Sequence, residues 1–169
     1  MVECQCSQEI TTLLCELISQ SIMKKMKKFM WNSRLYDKTS ALGEKNWLHL
    51  CEAIHSFPDL HLQTLSIPNN NIGERGSKGL IDLCIEGKLN DLTTLNLEGN
   101  HIGNTGFSDL LEAIQQSSIH SQLQEVNVKN NGIGSRGVKM IISSLQQCCF
   151  SNLQTLQIGC IRTIHASDN

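Results

Sequence analysis

The chain has 169 residues, 40% of them hydrophobic and 4% aromatic, with a formal net charge of −2, a length that suits one domain of ordinary size. No stretch reaches the roughly 20 apolar residues a bilayer-spanning helix needs, and the opening MVECQCSQEITTLLCELISQ sets acids ahead of its apolar part, unlike a secretory leader. The reading is a cytoplasmic chain whose eight cysteines are reduced thiols rather than a disulfide framework.

In chain order, the first predicted element is a helix. Ile10, Leu13, Leu14, Leu17 and Ile18 form a stripe that drifts toward Ile22, Met26 and Phe29, with Ser7 placed to cap its start. Residues 1–28 are read as a helical cap over one end of the remaining chain. Residues 24 to 45 hold seven of the 14 bases (Lys24, Lys25, Lys27, Lys28, Arg34, Lys38, Lys45) against two of the 16 acids, Asp37 and Glu44. We read this run as a solvated face; its rival is a basic helix for a membrane surface or a calmodulin-like groove.

The next elements come as copies. LQTLSIPNNNIGERGSKGLIDLCI begins at Leu62, LTTLNLEGNHIGNTGFSDLLEAI at Leu92, LQEVNVKNNGIGSRGVKMIISSL at Leu123, and LQTLQIG opens at Leu153, so the steps are 30, 31 and 30 residues. Stepping back by 30 sets SALGEKNWLHLCEAI, from Ser40, on the copy at Leu62, with Asn32, Leu35 and Asp37 in a degraded strand half. The units are 29–58 (degenerate), 59–88, 89–119, 120–150 and a partial 151–158, after which comes an off-pattern tail, 159–169. That tail, with Ile161 at an asparagine position, reads as a chain cut short.

Each copy has two periods. Alternation at Leu65/Ile67, Leu95/Leu97 and Val126/Val128 predicts a short strand with one buried face. Apolar pairs four apart, Leu50/Ile54, Leu80/Cys84, Leu110/Ile114 and Ile141/Leu145, predict a helix. One such unit cannot bury its apolar sides, whereas stacked units share a core. Asn70, Asn100 and Asn131 close the strands, where a side-chain amide satisfies backbone groups left open by the turn. Gly73, Gly103 and Gly134, each trailed three residues on by Gly76, Gly106 and Gly137, suit positive φ or close backbone approach. These glycines are not a phosphate loop, since they lack the Lys-Ser/Thr that ends one.

The pattern LxxLxLxxNxIGxxGxxxLxxxL resembles the ribonuclease-inhibitor-like leucine-rich repeats of ribonuclease inhibitors, NOD-like receptors, the GTPase-activating protein for Ran and tropomodulin-type actin cappers. The resemblance covers residues 40 to 158 well. It implies an α/β solenoid, a short curved horseshoe with parallel strands on the concave face and helices on the convex face. It also implies a non-catalytic protein-binding module, resembling the terminal repeats of a NOD-like receptor. The other readings are a small-GTPase activator resembling the Ran protein, and a truncated fragment without independent function.

Binding is expected on the side chains between the buried strand residues: Arg34, Tyr36 and Lys38; Thr64, Ser66 and Pro68; Thr94, Asn96 and Glu98; Glu125, Asn127 and Lys129; Thr155 and Gln157. The partner is a protein rather than nucleic acid or a membrane, and the chain is read as a monomer. No catalytic constellation assembles from the sequence and no cofactor or metal is implied. Cys51 and His55 lie four apart on a helix, but no second pair stands at zinc-site spacing.

Overall fold

The computed structural model describes residues 9, 11–16, 26–33, 41–57, 60–147 and 150–159. Strand and helix alternate: β1 (Lys28–Met30), α1 (Gly43–His55), β2 (Thr64–Ser66), α2 (Gly73–Ile85), β3 (Thr94–Asn96), α3 (Gly103–Gln116), a 3-10 turn (Ser118–Ser121), β4 (Glu125–Asn127), α4 (Ser135–Gln146) and β5 (Thr155–Gln157). The five strands form one open parallel sheet in chain order. Three-residue strands cannot stand alone, and β1 to β4 are held because the next helix in the chain crosses over the apolar side of the sheet.

Register makes the core continuous. Leu65 pairs with Leu95, Leu95 with Val126 and Val126 with Leu156, so one apolar residue per unit falls in a single row under the helices. Leu50, Leu80 and Leu110 are buried against that row, as are Ile67, Leu97 and Val128. The fold class is therefore the α/β solenoid of stacked repeats.

The first unit departs from the expected alignment. Phe29, not Leu35, stands opposite Leu65, while Gly43 donates to Asn70 O just as Gly73 donates to Asn100 O. Its helix half thus keeps the 30-residue step and its strand half does not. The step between strands is 36 residues there, because the segment joining β1 to α1 is six residues longer than its counterpart joining β2 to α2. The outward residues of the first strand are consequently Lys28 and Met30. Arg34, Tyr36 and Lys38, expected to fill that role, lie outside the described residues. Phe29 belongs to this strand rather than to the N-terminal helical stripe.

Residues 9 and 11–16 are helical. Leu14 and Cys15 pack against the core, and Cys15 Sγ lies 3.7 Å from His49 O of α1. Leu13, placed on the inward stripe by its spacing, is 58% exposed. Ser7, Ile10, Leu17, Ile18 and Ile22 lie outside the described residues, as does the tail from residue 160 onward.

Core volume is not uniform. An apolar cavity of about 30 Å³ is lined by Leu95, Phe107, Leu110, Val126, Val128 and Leu156, among others. It lies where the fourth unit carries valines, Val126 and Val128, in place of the larger Leu95 and Leu97 of the third. Val126→Leu adds one methylene, which contributes about 0.8 kcal/mol when buried, so a rise of about 2–4 °C in the melting temperature is expected. A fall measured by calorimetry would mean that the cavity cannot take the larger side chain without strain.

Candidate interaction face

The sheet face turned away from the helices is built by register. Thr64, Thr94, Glu125 and Thr155 pair successively along one row, and Ser66, Asn96, Asn127 and Gln157 along the next. Lys28 and Met30 start these rows. All ten are polar except Met30, which is exposed. Ser66, expected among the outward binding residues, is buried; the polar groups of the face are spaced by the strand separation, about 4.8 Å in a β-sheet.

Those side chains are not equivalent. Asn96 Oδ1 accepts the Glu98 backbone N–H at 3.1 Å, and Asn127 Oδ1 accepts that of Lys129 at 3.1 Å. Both asparagines thus hold the chain as it leaves the strand. Glu98 is itself braced across the units, receiving Asn127 Nδ2 at 3.0 Å and Asn130 Nδ2 at 3.3 Å. Its carboxylate is fixed in place at little further entropy cost on binding. Thr94, Glu125 and Lys129 have no side-chain hydrogen bond among the described residues and present their polar ends to solvent.

Beneath the rim of this face runs the asparagine ladder. Asn100 Oδ1 accepts the Asn70 N–H at 2.9 Å, and Asn131 Oδ1 accepts the Asn100 N–H at 3.0 Å. The amide of Asn100 donates to Ile67 O at 2.7 Å and Leu97 O at 2.9 Å. Asn131 donates likewise to Leu97 O at 2.7 Å and Val128 O at 3.1 Å, and Asn70 to Trp31 O at 2.7 Å. All three are buried, and the chain beside them bends through positive φ at Asn71, His101 and Gly132. His101 is therefore a turn residue.

The glycine pairs divide the work. Gly73 and Gly103 take φ of 67° and 73° just as their helices begin. Gly134 does not: at φ −87° it is extended, with α4 starting one residue later at Ser135. Its N–H donates to Asn104 Oδ1 at 2.9 Å, whereas those of Gly73 and Gly103 donate to the ladder carbonyls Asn100 O and Asn131 O of the next unit. The second glycines are there for close approach, since a Cβ at Gly106 would fall 2.7 Å from Ser77 Oγ, and one at Gly137 2.4 Å from Ile133 Cγ2. Gly76 faces Trp47 in the same way.

Among the described residues, the Cys51/His55 pair does not converge on one point. Cys51 is buried while His55 is exposed and pairs with Glu86 of the next unit, so the two do not face one ion. His61 pairs with Asp91 at 2.5 Å, again one unit on. No three His, Cys, Asp or Glu residues stand together as a metal site among the described residues, and no described helix is long and apolar enough to cross a membrane. Burial pushes the Cys84 thiol up to about 12, and burial, with the Asp82 and Glu52 charges, pushes Cys51 well up.

That shift has a stability consequence of definite sign. The folded state keeps the Cys84 proton in a range where the unfolded chain, near the ordinary value of 9.0, has lost it. Its contribution is therefore complete below about pH 9 and is lost as pH rises toward about 12. The urea midpoint is expected to fall between pH 8 and pH 10, both about the ordinary thiol range, and to fall less in Cys84→Ala. An equal fall in the variant would assign the effect to other groups.

Comparison with known proteins agrees with this geometry. A family model described as Leucine Rich repeat matches residues 88–111 and 121–141, which are the strand, ladder asparagine and helix of the third and fourth units. No curated protein matches the chain. The periodic strands, the asparagine ladder and these two matches agree on one architecture, leucine-rich repeats stacked as an α/β solenoid.

Proposed function

We propose that the chain is a protein-interaction module that meets its partner across the outward face of the sheet. The observation that carries this is the registered polar face, in which Glu98 is fixed by Asn127 and Asn130 while Thr94, Glu125 and Lys129 beside it make no side-chain hydrogen bond among the described residues. A partner gains contacts to preorganised groups there without disturbing the core. The narrower placing, as repeats of the ribonuclease-inhibitor-like kind from the end of a NOD-like-receptor-like protein, rests on the sequence resemblance.

The face is tested by site-specific photo-crosslinking. A photoreactive residue at Thr94 is expected to capture a discrete partner protein, and one at Glu112, exposed on α3, is not. Reversing Glu125→Lys and Lys129→Glu together should reduce capture about tenfold or more. Glu98 is a poorer probe because its reversal also breaks two cross-unit hydrogen bonds. Equal capture from both sides of the solenoid, or capture that survives the double reversal, removes this face as the binding site.

A further inference from the structure

The asparagine ladder holds a reactive pair that its structural role does not use. Asn131 precedes Gly132, and no other Asn-Gly pair occurs in the sequence; the ladder residues Asn70 and Asn100 precede Asn71 and His101. An asparagine side chain is open to attack by the backbone nitrogen of the residue after it. Glycine, with no Cβ, leaves that nitrogen unhindered and lets the chain take the dihedrals of ring closure. The bond that forms joins Gly132 N to Asn131 Cγ, and the side-chain nitrogen leaves as ammonia. Water then opens the cyclic imide at either of its carbonyls, giving aspartate or isoaspartate. Water is the sole co-reactant, and nothing is oxidised or reduced.

The fold holds this pair apart from that reaction. Asn131 is 1% exposed. Its Oδ1 accepts the Asn100 N–H at 3.0 Å and the Ile102 N–H at 3.4 Å. Its Nδ2 donates to Leu97 O at 2.7 Å, Val128 O at 3.1 Å and Lys129 O at 3.1 Å. The amide is thus clamped by the third and fourth units together, and it cannot swing onto Gly132 N while the clamp is closed. Release needs only the parting of those two units, because an array is held by contacts between neighbours and opens locally before it unfolds as a whole.

We propose that Asn131 and Gly132 form a self-modification site gated by the fold, which opening of the fourth unit sets off and which does not reverse. Aspartate would point a carboxylate at Leu97 O and Val128 O with no donor between them. Isoaspartate would lengthen the main chain by a carbon at the turn. Either product lacks the donor half of the rung, so the third and fourth units close less firmly than before.

The test is incubation of the full chain at mildly alkaline pH, in buffer and in denaturing urea, with peptide mass spectrometry of amide-to-acid conversion. In urea, conversion is expected to be faster at Asn131 than at any other asparagine, and in buffer slower there by about tenfold or more. Asn100→Ala removes the neighbouring rung and should bring the rate in buffer toward the rate in urea, whether that variant opens locally or unfolds entirely. Gly132→Ala should slow conversion in urea about tenfold; folding, and the strain an alanine meets at this φ, play no part there. Converted chain, separated by its added negative charge and refolded, should show a lower urea midpoint than unconverted chain taken through the same cycle. Equal rates at Asn131 in buffer and urea, a faster asparagine elsewhere in urea, or an unchanged rate in Asn100→Ala each overturns the proposal. Equal midpoints overturn it as well, since the rung would then survive the modification.

Discussion

Replacing Asn100 with alanine is expected to lower the unfolding free energy by roughly 3–5 kcal/mol, the sum of several buried polar groups left without partners at about 1–3 kcal/mol each. The side chain is wholly buried and serves two units at once. Its oxygen takes the Asn70 N–H, and its amide supplies Ile67 O in the second unit and Leu97 O in its own. Water cannot reach these groups to replace it. Asn100→Asp separates the roles: the carboxylate still accepts from Asn70 but faces two carbonyl oxygens without a donor, so it should be no more stable than alanine. Asn96→Ala, which loses one half-buried acceptor, should cost only about 1 kcal/mol. Urea unfolding of the three variants measures the order, and a loss below about 1 kcal/mol for Asn100→Ala would show that the ladder is dispensable.

Much of this was legible in the sequence because a repeat writes its constraints several times. Leu95 alone is ambiguous, but Leu65, Leu95, Val126 and Leu156 at near-constant spacing identify a strand row, and pairing in the structure runs along that row. The first strand was not legible for the complementary reason. Stepping back from the helix preserved Leu42 and Gly43 yet misplaced everything before them, because six extra residues fall between strand and helix and no neighbouring copy marks where. Phe29 and Met30 in a basic run offered the only clue, and periodicity assigned Phe29 to a helix instead.

The candidate face was legible as positions and not as roles. Alternation distinguishes inward from outward residues, but it does not reveal that Asn127 and Asn130 from the next unit clamp Glu98, since that depends on side-chain reach between strands. Gly134 shows the same limit: the spacing matches Gly103, while its N–H goes to the Asn104 side chain rather than to a ladder carbonyl of the next unit. The partial exposure of Leu145 on α4 was hidden most completely. Ile141 and Leu145 carry the same apolar spacing as the buried pairs before them, and the exposure of Leu145 is decided only by what does or does not stack on that helix.

The second large effect is expected at Trp47. The indole has no exposed surface, and its Nε1–H donates to Gly76 O at 2.9 Å, joining α1 to α2. A Cβ at Gly76 would come within 2.9 Å of Ile72 Cβ and 3.2 Å of Trp47 Cδ1, so glycine there lets the ring pack closely without a shift of either neighbour. Trp47→Ala empties a large buried volume and should cost about 3–5 kcal/mol, whereas Trp47→Phe retains most of the apolar area and should lose about 1–2 kcal/mol with the hydrogen bond and part of the ring. Because an array is stabilised by contacts between neighbouring units, the damage should be local first. Hydrogen exchange in Trp47→Ala is expected to show early loss of protection in α1 and β1, with β3 and α3 protected longer. Uniform loss across all units would mean that the solenoid unfolds as a single block and that Trp47 supports the whole core rather than its first interface.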